Sequence, residues 1–367
     1  MKKTLKLFAV ASTVTVLALA GCGRQEATPT AGASGSAPAA GFPKDSLIGV
    51  ALPQKTSENW VLAENLFKTD LGGAGYKFDV QFANGGVTEQ QNQISTMVTK
   101  GAKVVVVGAI DGSQLGTQVK AAKDSGATVI AYDRLLKNTD AVDYYIAYDN
   151  RKVGQLQGQA LLDGLKKKKP SGPYTIELFA GSPDDANAQV FFDGAMDVLK
   201  PKIDDGTLKV GSGQTSFNQV VTQGWKAENA QKRMDTLLSG NYTSKDLDGV
   251  LSPNDTLARA IITSVKSASK DIPVVTGQDS EVESVKSIMA GEQYSTINKD
   301  TRNLVKATVD AVNALQSGGK VAVNDTSQYN NGVKVVPAQL LQPVIVTKDN
   351  AAEAYANDPT LEPLTKG

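Results

Sequence analysis

Apolar positions along the chain change period at regular intervals. Short runs rich in β-branched residues alternate with longer stretches whose apolar residues recur every three or four positions. The short runs predict strands at 47–52, 78–82, 104–107, 129–132 and 144–147. A second series follows at 174–179, 208–210, 249–252, 273–276, 294–297, 333–336 and 344–346. The longer stretches predict helices over 59–71, 88–100, 114–125, 150–165, 188–199, 227–238, 257–267, 282–289 and 301–316. Strands alternating with helices of about 10–15 residues make βαβ units and a parallel sheet. The theme restarts near 150, so the pattern predicts two Rossmann-like α/β lobes facing one another.

The first 46 residues carry a different pattern. Met1-Lys2-Lys3 and Lys6 form a basic start, residues 5–20 are an apolar run, and Leu19-Ala20-Gly21-Cys22 closes it. This is the layout of a secretory signal over 1–21. Its last four residues resemble a lipobox, which implies cleavage before Cys22, a diacylglycerol on that residue and a body tethered outside the cytoplasmic membrane. Cys22 is the one cysteine of the chain, so no disulfide forms within it. Residues 23–43 are mostly Ala, Gly, Ser, Pro and Thr with no apolar period, a flexible stalk.

Composition narrows the chemistry. Lys+Arg and Asp+Glu are 38 each, and without 1–21, which holds three lysines and no acid, the balance is 35 to 38. No basic excess points to nucleic acid. The chain contains no histidine, which removes Ser–His and Cys–His catalysis and most zinc or haem sites. Neither a G-x-G-x-x-G after a strand nor a P-loop is present, so no nucleotide cofactor is expected, nor any other. Asp184 and Asp185 are adjacent in one loop, whereas glycosidase carboxyls flank a bond at about 5–9 Å. The chain is read as a non-enzyme.

Polar residues recur just past the apolar runs: Asp133-Arg134, Asp184-Asp185-Ala186-Asn187, Asn254-Asp255, Gln278-Asp279 and Asn298-Lys299. Ligands of open α/β sheets sit beyond the carboxyl ends of the strands. Any one such tip is explained equally by a cap on the next helix. Five of them, pairing acids with amides and bases, suit the hydroxyl groups of a polyol.

These tips carry a family signature. The chain resembles the periplasmic sugar-binding proteins of the ribose/galactose/xylose group, in particular the multiple-monosaccharide and xylose binders. The similar stretches include 55–60, 97–101, 129–135, IELFAGSPDDANA at 176–188, 230–238, 250–253, 277–279, AGEQYSTI at 290–297, 299–302 and 330–337. The resemblance implies two α/β lobes with parallel sheets joined by a three-segment hinge, with the sugar between them. It places 45–148 plus 298–325 in the N-terminal lobe, 149–297 plus 326–367 in the C-terminal lobe, and 22–44 in a linker from lipidated Cys22. It implies that Trp60 and Trp225, the chain's two tryptophans, stack on the faces of a pyranose ring. Asp133 and Arg134 would bind hydroxyls from the first lobe, Asp185, Asn187, Asn254 and Asp279 from the second, and Lys299 from the hinge side. Lys55 and Gln278 are secondary candidates, equally explained as outer residues. Where the family usually carries an Arg before the first tryptophan, this chain has Asn59, which puts acidic sugars in doubt.

The function the resemblance implies is high-affinity capture of an aldose such as xylose, arabinose, glucose or galactose. A lipid-anchored monomer would deliver it, by cleft closure, to the permease and ATPase of an ABC importer. The alternative is a sugar receptor that signals to a chemoreceptor or sensor kinase. A sugar-acting enzyme and a transcriptional regulator of the same fold are the more distant readings. The lipobox and the lack of a basic headpiece argue against the regulator.

Overall fold

The computed structural model describes residues 41–366. The signal sequence, the lipobox at Cys22 and most of the stalk lie outside the described residues. Five strands of the first half are β1 (Leu47–Leu52), β2 (Lys77–Phe82), β3 (Val104–Val107), β4 (Thr128–Tyr132) and β5 (Tyr144–Tyr148). Of the second half, β6 (Tyr174–Leu178), β7 (Leu208–Val210), β8 (Gly249–Leu251) and β9 (Val274–Val275) form a second sheet. The chain ends with β10 (Ser295–Asn298), β11 (Ala338–Leu341) and β12 (Val344–Thr347).

The first sheet runs β11-β5-β4-β3-β1-β2, parallel throughout, and the second runs β7-β6-β8-β9, also parallel. β10 pairs with β12 antiparallel, and Tyr294 N–H donates to Val275 O at 3.0 Å, joining that pair to the edge of β9. The first sheet has apolar cores on both faces. Val104, Val106, Ile130 and Tyr132 point into one core, and Val105, Val107, Val129 and Ala131 into the other. The all-valine β3 therefore has no polar side, and each of its residues is fully buried. Burial of this kind is worth roughly 1.5–3 kcal/mol per large apolar side chain. In the second lobe the helices Asn150–Lys168 and Ala186–Asp204 pack with unusual intimacy. A Cβ on Gly154 would fall 2.0 Å from the carbonyl oxygen of Phe191, so only glycine permits that approach.

Three segments cross between lobes. β5 leads into the second-lobe helix Asn150–Lys168. β10 leads back into Thr301–Gln316, whose Leu304, Val305 and Val312 pack in the first lobe's core. β11 then returns to β12. This corrects the division at 325/326. β11 pairs with β5, and Val336, Ala338 and Leu340 are buried in the first lobe's core, so the first lobe keeps the chain up to the β11–β12 crossing. It also corrects the strand expected at 333–336. Val333 is 57% exposed and Val335 37%, and both lie outside the ladder that begins at Ala338.

In the first sheet the strand order reverses direction between β1 and β3, and in the second between β6 and β8. Crevices open at such reversals, beyond the carboxyl ends of the strands. The two crevices face each other.

Candidate functional site

One cavity between the lobes gathers residues from six strand ends and encloses about 360 Å³ of atom-free space, counting its mouth. Asn59, Trp60, Asp133 and Arg134 line it from the first lobe. Asp185, Asn187, Trp225, Asn254, Gln278 and Asp279 line it from the second, and Lys299 from the β10 crossing. Thr56, Ser57 and Phe191 complete the wall. Lys55 stays outside: its side chain is 46% exposed, pairs with Glu64 at 3.3 Å and lies over the Phe82 ring. Thr56, Ser57 and Phe191 were not singled out from sequence. The first two sit three and two residues before Asn59, on the same loop past β1, which is the signal that could have found them. Phe191 sits at helical spacing and reads as core.

The loop positions are held in strained backbone. Asp133 (φ 61°), Trp225 (φ 54°) and Asp279 (φ 98°) all adopt positive φ. Non-glycine residues avoid that region, and such strain collects at functional sites where the surroundings over-determine it. At Asp133 the turn aims the carbonyl at the second lobe's Asn187, whose Nδ2 donates to it at 2.8 Å, while Tyr145 Oη of the first lobe's β5 donates to it at 2.7 Å. Asn187 Oδ1 in turn accepts from Asn150 Nδ2 at 2.9 Å. This junction leaves the Asp133 carboxylate with no hydrogen bond from the described residues.

Two ion pairs furnish the floor. Arg134 Nε lies 3.0 Å from Asp185 Oδ2, and Lys299 Nζ lies 3.0 Å from Asp279 Oδ1. Arg134 also donates from Nη1 to Ala109 O at 3.0 Å, and its guanidinium stands 5.2 Å from the centre of the Trp60 ring. Asp185 caps the helix Ala186–Asp204 by accepting from Asn187 N–H at 2.9 Å, and accepts from Trp225 Nε1 at 3.1 Å. Asn254 likewise caps Asp255–Ser267 through Leu257 N–H. The capping explanation and the cavity explanation of these tips therefore both hold: the cap fixes the side chain that the cavity exposes. Arg134 Nε, Asp279 Oδ1 and Gln278 Oε1 are buried yet lack a well-aligned partner. Burial raises the Asp185 carboxyl above its ordinary range, against the opposing pull of Arg134. Burial alone would lower the Lys299 ammonium, but Asp279, Asp133 and Asp185 together hold it above the ordinary lysine range.

The second tryptophan is fixed from behind. A Cβ on Gly181 would fall 2.1 Å from the Trp225 ring, so the ring lies flush against the β6 loop. The two indoles, one from each lobe, are 4% and 8% exposed. The arrangement lines one cavity with two indoles and a set of acids, amides and cations, the chemistry that holds a small ring carrying hydroxyls at its edge.

Comparison with known proteins agrees with this geometry. A periplasmic binding protein domain matches residues 48–320, and the chain belongs to that family, with the type I fold of two α/β lobes. It is 52% identical over 308 residues to the multiple sugar-binding periplasmic receptor ChvE of Rhizobium radiobacter, covering 83% of this chain and 87% of that one. It is 35% identical over 316 residues to the D-xylose-binding periplasmic protein of Escherichia coli, covering 86% and 91%. Among solved structures, an ABC transporter solute-binding protein from Clostridium phytofermentans with bound β-D-glucose superposes with a TM-score of 0.83. It shares 40% identity over 88% of this chain and 100% of that one.

Proposed function

We propose that this protein is an extracytoplasmic monosaccharide-binding lipoprotein that hands a neutral aldose to an ABC importer. The observation that carries the reading is the cavity itself: polar groups of both lobes line it together with Trp60 and Trp225. Relatives named for sugar binding and structures named for bound glucose support the ligand class. Those relatives are binding proteins and receptors rather than enzymes.

The charge inventory supports neutrality. Three carboxylates, Asp133, Asp185 and Asp279, face two cations, and each cation already stands 3.0 Å from a carboxylate. A ligand carboxylate or phosphate would meet no unclaimed positive charge. A hydroxyl, which both donates and accepts, suits the same groups. Trp60 and Trp225 would cover the apolar C–H faces of the ring; Asp133, Asp185, Asp279 and Asn254 would accept from hydroxyls, and Arg134, Asn187 and Lys299 would donate.

Capture follows from the two-lobe build. A ligand touching both lobes favours the closed form by its differential affinity for that form. Each hydrogen bond with a charged partner adds about 1.5–3 kcal/mol. The lipobox supports anchoring through Cys22, with the stalk giving the body reach toward its permease. The name of the Rhizobium relative, a receptor, supports the second reading, in which the closed form signals to a membrane partner. A calorimetric and thermal-shift screen against arabinose, xylose, glucose, galactose, fucose and ribose tests the proposal. Saturable binding of at least one is expected, and no response to any would overturn it.

A further inference from the structure

At the mouth of the cleft two helices point their N-termini at each other from opposite lobes. Glu58–Gly73 belongs to the first lobe and Val282–Met289 to the second. Neither has a side-chain cap from its own N-cap residue: Ser57 makes no such bond to its helix, and neither does Glu281. The first N–H groups of a helix have no partner within it and need one from outside. Here each helix takes an acceptor from the other lobe. Val282 N–H donates to Glu58 Oε2 at 2.8 Å, and Glu58 N–H donates to Glu281 Oε1 at 3.4 Å.

The exchange is reciprocal. Glu58 heads one helix and caps the other; Glu281 precedes the second helix and caps the first. A carboxylate at a helix N-terminus also interacts favourably with the helix dipole. The second-lobe half is rigid. Glu281 is 2% exposed, its Oε2 lies 2.6 Å from Arg259 Nη2, and it accepts from Thr256 Oγ1 at 2.9 Å. Arg259 balances its charge, so two carboxylates can face across the mouth. Glu58 is exposed and approaches from the other side. Neither glutamate lines the ligand cavity. When the lobes part, both bonds are lost and both N-termini turn to water.

We infer that Glu58 and Glu281 form a closure latch, a pair of exchanged helix caps that sets how long the cleft stays shut without touching what it holds. A contact made only in the closed form stabilises that form alone. It therefore acts on release more than on capture. Glu58 is a positioning residue in this scheme: the ring contacts are made by others, and the latch prolongs them. This inference rests on the proposed ligand site for its kinetic readout, and not for its structural one.

The test compares the wild-type protein with Glu58→Ala and Glu58→Gln. Stopped-flow tryptophan fluorescence reads association and release of whichever sugar the wild type binds, and small-angle X-ray scattering reads lobe closure. Glu58→Ala is expected to raise the release rate about tenfold, the scale of a lost helix cap, with association changed less than about twofold. Glu58→Gln keeps an acceptor but loses the charge, and is expected to fall between. Far-UV circular dichroism should match wild type in both variants, which separates a latch from a general loss of the fold. A release rate within about twofold of wild type in both variants overturns the latch. Should the wild type bind none of the sugars, the proposed function fails, and scattering alone decides the latch. A larger radius of gyration for Glu58→Ala then supports it, and an unchanged one overturns it.

Discussion

Arg134 Nε of the first lobe and Asp185 Oδ2 of the second stand 3.0 Å apart across the cleft, both nearly excluded from water. Each has a second duty in its own lobe. Arg134 donates to the Ala109 carbonyl past β3, and Asp185 caps a helix and accepts from the Trp225 indole. The pair thus links the strand ends of one sheet to an aromatic wall built on the other.

Breaking that pair from one side leaves a buried charge alone, which costs about 3–5 kcal/mol. Arg134→Ala is therefore expected to weaken sugar binding at least a hundredfold, since about 1.4 kcal/mol is tenfold. Arg134→Lys should recover only part of this, because a single ammonium lacks the fork that reaches Asp185 and Ala109 together. Titration calorimetry decides the point, and affinity within twofold of wild type in Arg134→Ala would contradict it.

The wall behind Trp225 gives a separate handle. Gly181→Ala puts a methyl where the indole now lies, 2.1 Å from its atoms. The ring must move, and Trp225 should lose its hold on Asp185. Affinity is expected to fall more than about tenfold, a loss of roughly 1.4 kcal/mol or more, in company with a change in the ligand-induced fluorescence. The chain has two tryptophans, Trp60 and Trp225, so in Trp225→Phe any remaining ligand-induced change reports on Trp60 alone.

Much of this was legible in the sequence because strand ends are punctuated. An apolar run stops where the chain surfaces, and the residue after it faces the crevice; Asp133, Asn254 and Asp279 were found this way. Lys55 was not separable from its neighbours by that rule. It lies on the correct loop, but a long side chain reaches Glu64 instead of the cavity. Phe191 has a helical core spacing, and only tertiary packing turns one edge of it into the cavity, with Lys299 Nζ 5.4 Å from its ring centre. The division at 325/326 fails because β11 pairs with β5 in the first lobe, whereas 333–336, a strand by composition, lies outside that ladder. The true strand, Ala338–Leu341, has two buried and two half-buried residues and a weaker pattern. Strand pairing between β11 and β5 joins positions nearly 200 apart, which no local period records.

Buried acids set a pH dependence. Burial, with Glu281 and Asp279 nearby, pushes the fully buried Asp255 carboxyl well above its ordinary 3.8. Such a group binds its proton more tightly folded than unfolded. Its contribution to stability is complete below the unfolded value and is lost as pH rises through the folded one. Asp185 and Glu281 shift in the same direction. The ligand-free urea midpoint of Asp255→Asn relative to wild type should therefore rise as pH is raised from the unfolded carboxylate range. A midpoint difference between variant and wild type that stays constant with pH would refute this assignment.

Anchoring can be read in a fractionation. If Leu19-Ala20-Gly21-Cys22 directs lipidation, Cys22→Ser should move the protein from the membrane pellet to the soluble extracytoplasmic fraction while leaving sugar affinity unchanged. Equal partition of both forms would remove the anchor from the proposal.

Asn59 lines the cavity at the start of the first-lobe helix and carries no charge. Its Oδ1 accepts from Ser57 Oγ. A guanidinium at this position would be the one cation not already standing against a cavity carboxylate, free to receive an acidic group. Asn59→Arg is therefore expected to gain binding of a uronic acid at least about tenfold, worth roughly 1.5–3 kcal/mol for a charge-assisted hydrogen bond. Neutral aldoses should change less, because Asp133, Asp185, Asp279 and Lys299, the groups proposed to hold their hydroxyls, are left in place by the substitution. A panel of paired sugars, each neutral aldose beside its uronic acid, isolates the carboxylate from the rest of the ring. Should the variant and the wild type rank all pairs alike, charge at position 59 does not govern selection.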